Sequence, residues 1–346
     1  MPREKPGGKG SKGKDRKPEL LHIGVSPHVR GRNTTTSIMG WVIVALLPLT
    51  AYSIYIGGLS TVVVILMSVT GAVVTEAAIQ RMRHVKVSIG DLSAVVTGLL
   101  LALTLPPELP FWMPLAGGVV AIALGKQVFG GLGHNIFNPA LVGRAVLFIS
   151  YSKYMSTSWL TDPRALMVKT QAIESINAVT GATPLATMGH VREGELTIQA
   201  SRYYGPLLFG NPWGCIGEVS AILIVVGLVV LLIKGLVDWR IPVGYVGTVM
   251  LLSWALGMDP LFAMLSGGLL LGACFMATDY VTNPMTPWGK LVFSVGCGCI
   301  TVVLRFYSNL PEGVMFAILV MNGFTPLIDR YLRPRAFGHK GLVKQV

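Results

Sequence analysis

Residues 241–258 read IPVGYVGTVMLLSWALGM, an uncharged segment that is long enough to cross a membrane. A transmembrane helix needs roughly 17–25 mostly apolar residues. Comparable segments recur along the chain, and those at 92–106 and 139–151 are the shortest, with Pro or Gly at their flanks. The predicted helices are 38–56, 59–80, 92–106, 111–129, 139–151, 217–233, 241–258, 260–277, 289–305 and 312–330. The sequence therefore predicts an all-α polytopic membrane protein with about ten transmembrane helices.

The composition agrees with a membrane protein. Of the 346 residues, 52% are hydrophobic and 13% are charged, and the mean hydropathy is +0.63. Soluble domains carry about 25% charged residues. Lipid is therefore the expected environment for most of this chain.

The positive charges, which give a net charge of +12, predict the orientation of the helices. They cluster before the first helix (Arg3, Lys5, Lys9, Lys12, Lys14, Arg16, Lys17, Arg30, Arg32), in one short loop (Arg81, Arg83, Lys86) and after the last helix (Arg333, Arg335, Lys340, Lys344). Basic segments next to transmembrane helices stay in the cytoplasm. Both termini are thus expected there, and we expect the basic tails to contact anionic lipid headgroups. The tails lack interleaved aromatic residues, which argues against binding of nucleic acid.

This topology divides the chain into five parts. Residues 1–37 are a basic cytoplasmic tail, expected to be largely disordered because it is rich in Gly, Lys and Pro. Residues 38–151 and 217–330 each hold five helices, and 331–346 form a second cytoplasmic tail. The segment 152–216, the only one between helices large enough for a small domain, is placed outside the cytoplasm.

Near the middle of this outer segment lies Thr180-Gly181-Ala182-Thr183-Pro184-Leu185. The small residues Gly181 and Ala182 leave the hydroxyl of Thr183 accessible to a modifying enzyme, and Pro184 favours an extended backbone at Thr183. The same residue types also describe an ordinary surface turn. From the residues alone, both interpretations stay open.

Three further motifs lie near the predicted helix ends. They are SPHVR at 26–30, GGLGHNIFNPA at 130–140, and FMATD at 275–279 followed by Asn283-Pro284. Asn138-Pro139 fits a helix start, with Asn as the cap and Pro in the first turn. Asp279 is an acid at a membrane boundary, which marks a functional candidate, although a capping role or a salt bridge would explain it too. Lys126 ends a helix and could extend its ammonium to the membrane surface or contact a bound group.

Together these motifs resemble the D subunit of Rnf complexes and its relative, the B subunit of the sodium-pumping NADH:quinone oxidoreductase. The resemblance implies FMN joined to Thr183 by a phosphoester, within a motif that includes Thr180, Gly181 and Ala182. It also implies a noncovalent riboflavin near Asn135 and Asn138, with Asp279 as a further cofactor-binding candidate. Asn177 stands where the family usually has an acidic residue, and Tyr280 where it usually has proline.

The function implied by the resemblance is that of a flavoprotein subunit in a cell-membrane complex. Such a complex couples electron transfer between ferredoxin and NAD to translocation of sodium or protons. The chain would be an electron carrier within an oxidoreductase, with no catalytic residue and no metal site of its own. The expected partners are the other Rnf subunits, especially the second subunit with covalent FMN, and a flavin transferase for maturation. The alternatives are a B subunit of the quinone-reducing pump, and a solute channel or transporter without a redox role.

A short repeat suggests how the helices are organised. The sequence TLPPELPFW at 104–112 and the sequence TNPMTPW at 282–288 each follow a helix rich in Gly and Leu, and five predicted helices separate them. Because five is odd, the two halves would be inverted relative to each other, as in many transporters. We therefore expect two inverted five-helix repeats, although chance similarity of two loops would look the same.

The sequence also argues against other chemistries. The predicted helices contain no His pair at helical spacing, which argues against haem, and there is no GxxxxGKS motif for nucleotides. Cys297 and Cys299 are two residues apart, so they point in different directions on a helix, and buried cysteines usually pack like alanine. A metal site formed with Cys274 is therefore not expected.

Overall fold

The computed structural model describes residues 34–85, 87–157, 200–210, 214–307 and 313–332. Its contacts divide the chain into a unit Met1–Thr34 and a unit Thr35–Val346, and the helices described below belong to the second unit. The motif at 26–30, Asn177, and Thr180, Gly181, Ala182 and Thr183 lie outside the described residues. What the sequence predicts for these residues therefore stays a prediction.

The described residues are helical and contain no β-strand, which confirms the all-α prediction for this part of the chain. The α-helices are α1 Thr35–Met82, α2 Ser93–Leu103, α3 Trp112–Ile122, α4 Pro139–Ser150, α5 Ser152–Thr157, α6 Ala200–Phe209, α7 Ala221–Ile233, α8 Arg240–Ala255, α9 Pro260–Leu265, α10 Leu269–Leu271, α11 Pro287–Tyr307 and α12 Gly313–Tyr331. Short π-helices, Ala123–Gln127 and Gly272–Met276, continue α3 and α10. Two 3₁₀ turns are Ile89–Asp91 and Ile216–Glu218.

Each of the ten predicted segments contains helix, but their lengths differ from a simple set of spans. In the described part of the chain, α1, α11 and α12 are long and apolar enough to cross a membrane, while α2, α4 and α7 are apolar but shorter. The first two predicted segments form α1, which is interrupted at Gly58 (φ 64°, ψ −149°). A residue with a side chain would be strained in this conformation. The number of crossings therefore stays a prediction.

The predicted segment 260–277 is a broken helix. The first part, α9, ends at Leu265. The chain then turns through Gly267 and Gly268, both with positive φ, and continues as α10. Arg305 of α11 donates to the carbonyls of Ala263 at 2.7 Å and Ser266 at 2.9 Å. Helix ends carry carbonyls without helical partners, and the guanidinium satisfies them inside the protein.

The helices of the first half pack at backbone distance. Ser68 of α1 donates to the carbonyl of Gly98 in α2 at 2.8 Å. A Cβ atom added to Gly118 of α3 would lie 2.5 Å from the carbonyl oxygen of Ser68 and 2.9 Å from the amide nitrogen of Ala72. Small residues allow such close approach between membrane helices. Glycine is therefore required where α1, α2 and α3 meet.

Helix ends predicted to face the cytoplasm contact one another. Thr36, at the start of α1, donates to the carbonyl of Gly90 in the turn before α2 at 3.3 Å. Arg83 donates to the carbonyl of Gln127 at the end of the first π-helix at 3.0 Å. The segment between α1 and α2 thus contacts both the start of α1 and the end of the first π-helix.

Helix ends predicted to face outward meet in the same way. Ser53, near the break in α1, donates to the carbonyl of Ile216 at 2.6 Å, and the Ile216 amide donates to the carbonyl of Leu105 at 3.0 Å. Tyr52 donates to the carbonyl of Phe209 at 2.7 Å. No helix end takes part in both sets of contacts. Helices that cross a membrane in alternating directions would produce this arrangement.

Candidate functional site: a cleft between two loops

A cleft opens where the loop 128–138 and the loop 277–286 meet the ends of three helices. Its walls include Met39 of α1, Val96 and Leu100 of α2, Leu231 of α7 and Phe275 of the second π-helix. The polar residues on its lining are Ser93, Thr97, Lys126, Asn135, Asn138, Thr278, Asp279 and Tyr280. The open space, including the mouth, is about 790 Å³. Every contributing loop is one that the predicted topology places on the cytoplasmic side.

The cleft brings together Asn135, Asn138 and Asp279. These are the three cofactor-binding candidates from the sequence that lie within the described residues. Asn135 and Asn138 lie more than 130 residues before Asp279 in the chain. Their convergence gives the predicted site a geometry, while its occupancy by a flavin stays a prediction.

Asn138 links the start of α4 to the end of the second π-helix. Its side-chain oxygen accepts from the amides of Ala140 at 3.0 Å and Leu141 at 3.4 Å, which confirms its role as the cap of α4. Its side-chain nitrogen donates to the carbonyl of Met276 at 3.1 Å. With its amide oriented to match its neighbours, Asn322 of α12 accepts from the Asn138 backbone at 3.1 Å. Most of the hydrogen-bonding groups of Asn138 are therefore already paired within the protein.

Asn135 keeps more capacity for a ligand. Its side-chain nitrogen donates to the carbonyl of Phe137 at 3.2 Å, and this is its one side-chain hydrogen bond among the described residues. The side chain is buried, with 6% of the residue exposed. A buried amide oxygen usually needs a donor. Asn135 is therefore better suited than Asn138 to bind a polar ring edge.

Asp279 is half-buried at the rim of the second loop. Desolvation raises the pKa of its carboxyl, while hydrogen bonds from the Thr282 hydroxyl and from the amides of Val281 and Tyr280 lower it in part. Within the part of the chain that the structure describes, it forms no salt bridge. Its carboxylate oxygens can accept hydrogen bonds from a ligand at the rim of the cleft.

Lys126, which lines the cleft, belongs to a buried ion pair. Lys126 Nζ lies 2.6 Å from Glu76 Oε1 and 2.6 Å from Ser93 Oγ, and the side chains of Lys126 and Glu76 are 2% and 1% exposed. Gln80 and Gln127 donate to the same carboxylate oxygen, at 3.2 and 3.4 Å. The expectation that Lys126 reaches the membrane surface is wrong, because its ammonium turns inward to Glu76.

Sequence reasoning missed Glu76. The available signal was an acid inside an apolar segment, which usually marks a functional position in a membrane protein. What the sequence could not supply was its partner, since Lys126 lies 50 residues further along the chain.

The cysteines do not form a metal cluster in the described residues. There, no group of three or more His, Cys, Asp or Glu side chains could hold a metal ion. Cys274 and Cys297 are buried, and none of the four cysteines is in a disulfide. Cys215 accepts a hydrogen bond from Arg144 at 3.3 Å.

Comparison with known proteins gives a consistent result. Residues 22–338 match the model of a family described as NQR2, RnfD, RnfE. The chain is 40% identical over 325 residues to the D subunit of the Na⁺-translocating ferredoxin:NAD⁺ oxidoreductase complex of Acetobacterium woodii, covering 94% of this chain and 98% of that protein. It is 40% identical over 332 residues to the D subunit of the proton-translocating ferredoxin:NAD⁺ oxidoreductase complex of Clostridium ljungdahlii, with 93% and 97% covered. It is 38% identical over 335 residues to the D subunit of the ion-translocating oxidoreductase complex of Stutzerimonas stutzeri, with 89% and 93% covered.

Proposed function

The chain belongs to the NQR2, RnfD, RnfE family, and we propose that it is the membrane-embedded D subunit of an Rnf-type complex. This complex couples electron transfer between ferredoxin and NAD to translocation of sodium or protons. The observation that carries the proposal is the 40% identity to two such subunits over nearly the whole of both chains. The chain alone is an electron carrier, and the complete oxidoreductase is the complex.

The proposed electron route uses two flavins. FMN attached to Thr183 in the outer segment 152–216 receives electrons from, or gives them to, the second FMN-bearing subunit of the complex. A noncovalent riboflavin in the cleft continues the route toward the cytoplasmic side of the cell membrane. In such a protein the flavin performs the redox chemistry, while the chain sets its position and its surroundings. A flavin transferase is needed to load Thr183.

The cleft suits a flavin ring by its chemistry. Ligand sites of this kind have apolar walls and a few convergent polar groups. Here Val96, Leu100 and Phe275 supply apolar surface, and Asn135 and Asp279 supply hydrogen-bonding groups. These features support binding of a planar heterocycle with polar ring edges.

Thr183→Val is expected to abolish covalent flavin completely, because valine has the shape of threonine but lacks the hydroxyl that forms the phosphoester. The measurement is in-gel flavin fluorescence of the purified, denatured chain from cells that contain the flavin transferase. Thr180→Val is the matched control and should keep a fluorescent band, although a weaker one is compatible with its place in the motif. A dark wild-type band, or an equally bright Thr183→Val band, would contradict the proposal.

Asp279→Ala is expected to weaken riboflavin binding about tenfold, the effect of losing about 1.4 kcal/mol of hydrogen bonding to the ligand. The measurement is titration of the purified, riboflavin-depleted protein with riboflavin. Asp259→Ala is the control, because Asp259 caps α9 by accepting from the Leu261 amide at 2.9 Å and does not line the cleft. Equal affinities of the two variants would argue against Asp279 as a ligand contact.

The quinone-reducing pump is the second candidate, since the description of the family includes NQR2. The two functions differ in the electron donor and the electron acceptor of the whole complex. Reduction of NAD by reduced ferredoxin in the purified complex would support the Rnf function. Reduction of quinone by NADH in the same preparation would support the alternative.

A further inference from the structure

Three polar side chains lie along one face of α12. They are Asn322, Thr325 and Asp329, and their spacing of three and four residues places them on the same side of the helix. Asn322 and Thr325 are 1% and 8% exposed. Burying a polar group is costly unless it is hydrogen-bonded. The partners of these side chains therefore indicate what this face of α12 does.

The loop 128–138 is held at its end by the first of them. With its amide oriented to match its neighbours, Asn322 accepts from the backbone amide of Asn138 at 3.1 Å. The ring of Phe137 lies beside Gly323, where an added Cβ atom would be 3.6 Å from the ring. α12 thus contacts this loop at the two residues that precede α4.

The loop 277–286 is held by the other two side chains. Thr325 donates to the carbonyl of Thr282 at 2.9 Å. Asp329 accepts from the backbone amide of Met285 at 3.1 Å. One face of α12 therefore binds the backbone of both loops between which the cleft opens.

The contact of Thr325 also reaches a candidate ligand contact, Asp279. The hydroxyl of Thr282 donates to Asp279 Oδ2 at 3.3 Å, so the residue whose carbonyl is held by Thr325 orients this carboxylate. The Thr325 hydroxyl also lies 3.2 Å from the carbonyl of Met321 in its own helix, which makes the contact with the loop the shorter of the two. Thr325 thus acts on Asp279 through Thr282.

We propose that Asn322 and Thr325 are positioning residues, which hold the loops 128–138 and 277–286 in place on the two sides of the cleft. Neither residue is among those that line the cleft. Their effect is to keep Asn135 of one loop and Asp279 of the other facing the same space. The inference concerns the shape of the cleft and does not depend on which ligand binds there.

The test is amide hydrogen exchange of the purified chain in detergent, with no ligand added, measured by mass spectrometry of its peptides. Thr325→Val keeps the shape of threonine but loses the hydroxyl. Exchange in the loop 277–286 should become about fivefold faster, the effect of losing one hydrogen bond of typical strength from a local opening. Thr325→Ser keeps the hydroxyl and should restore the wild-type rate.

Thr50→Val is the matched control for the loss of a buried threonine hydroxyl. Thr50 is also 8% exposed, but it donates to the carbonyl of Leu46 in its own helix, at 2.8 Å. Exchange in the loop 277–286 should stay at the wild-type rate in this variant. A rise as large as that in Thr325→Val would show a general loss of stability and would overturn the positioning role.

A second variant tests the other loop and keeps the proposal testable if Thr325→Val does not fold. Asn322→Leu has a similar size but removes the acceptor for the Asn138 amide, so exchange in the loop 128–138 should become about fivefold faster. An increase in the loop that the altered residue contacts, without an increase in α8, supports the proposal. Exchange at the wild-type rate in that loop, or an equal increase in α8, overturns it.

Discussion

Lys126→Met is expected to destabilise the folded chain by about 3–5 kcal/mol, because it leaves Glu76 buried without its counter-charge. The ion pair is 2.6 Å long, and both side chains are almost fully buried. Methionine approximates the length of the lysine side chain, so loss of packing contributes little. The measurement is the free energy of unfolding of the detergent-purified chain.

The double variant Glu76→Gln with Lys126→Met provides the control. It removes both charges, and replacing a whole buried ion pair costs far less than removing one partner. Lys290→Met breaks the ion pair with Asp238, in which the two side chains are 21% and 20% exposed, and this change should cost at most about 1 kcal/mol. If Lys126→Met proves as stable as the double variant, Glu76 is not held as a charged group by Lys126.

Gly118→Leu is expected to separate α3 from α1 and to prevent stable folding, with a cost well above the roughly 1–3 kcal/mol typical of overpacking. The atoms in the way, at 2.5 Å and 2.9 Å from the added Cβ, belong to the backbone of α1 and cannot rotate aside. The measurement is the yield of monodisperse protein after detergent extraction, with the midpoint of thermal unfolding for any protein recovered.

Gly247→Leu is the matched control. Gly247 is also inside a helix, α8, but is exposed and has no atom within 4 Å of an added Cβ. Leucine has a higher helix propensity than glycine, by up to about 1 kcal/mol. This variant should therefore fold as well as the wild type, and a poor yield for both variants would show that the loss is not caused by the contact of α1 with α3.

Helix positions were predictable because hydrophobic segments and their Gly or Pro boundaries are local features. The break at Gly58 falls between the predicted segments 38–56 and 59–80, and α4 begins at Pro139 as the Asn-Pro cap indicates. The break in 260–277 was not predicted. It depends on Arg305, which lies far along the chain and binds the carbonyls that the broken helix leaves unpaired.

The two π-helices were also not predicted, since an i→i+5 turn has no simple sequence signature. Both occupy similar places in the chain. Ala123–Gln127 leads into the loop that ends with Asn138-Pro139, and Gly272–Met276 leads into the loop that contains Asn283-Pro284. This similarity relates the fourth and the eighth predicted helices, whereas the predicted five-helix repeat relates the third and the eighth, so the repeat stays a prediction.

The candidate site was predictable in its residues but not in its roles. Motifs singled out Asn135, Asn138 and Asp279, and the cleft contains all three. Their separate roles could be assigned only from the structure, which shows that the Asn138 side chain is hydrogen-bonded to Ala140, Leu141 and Met276. The partner of Lys126 also depended on packing between distant helices.

The proposed electron route depends most directly on the attachment of FMN to Thr183. The decisive measurement is the mass of the proteolytic peptide that contains Thr180 to Leu185, with fragmentation to locate the modified residue, from protein produced together with its flavin transferase. We expect this peptide to carry the mass of FMN less one water, with the added mass on Thr183. An unmodified peptide at full recovery from an assembled, active complex would contradict the account.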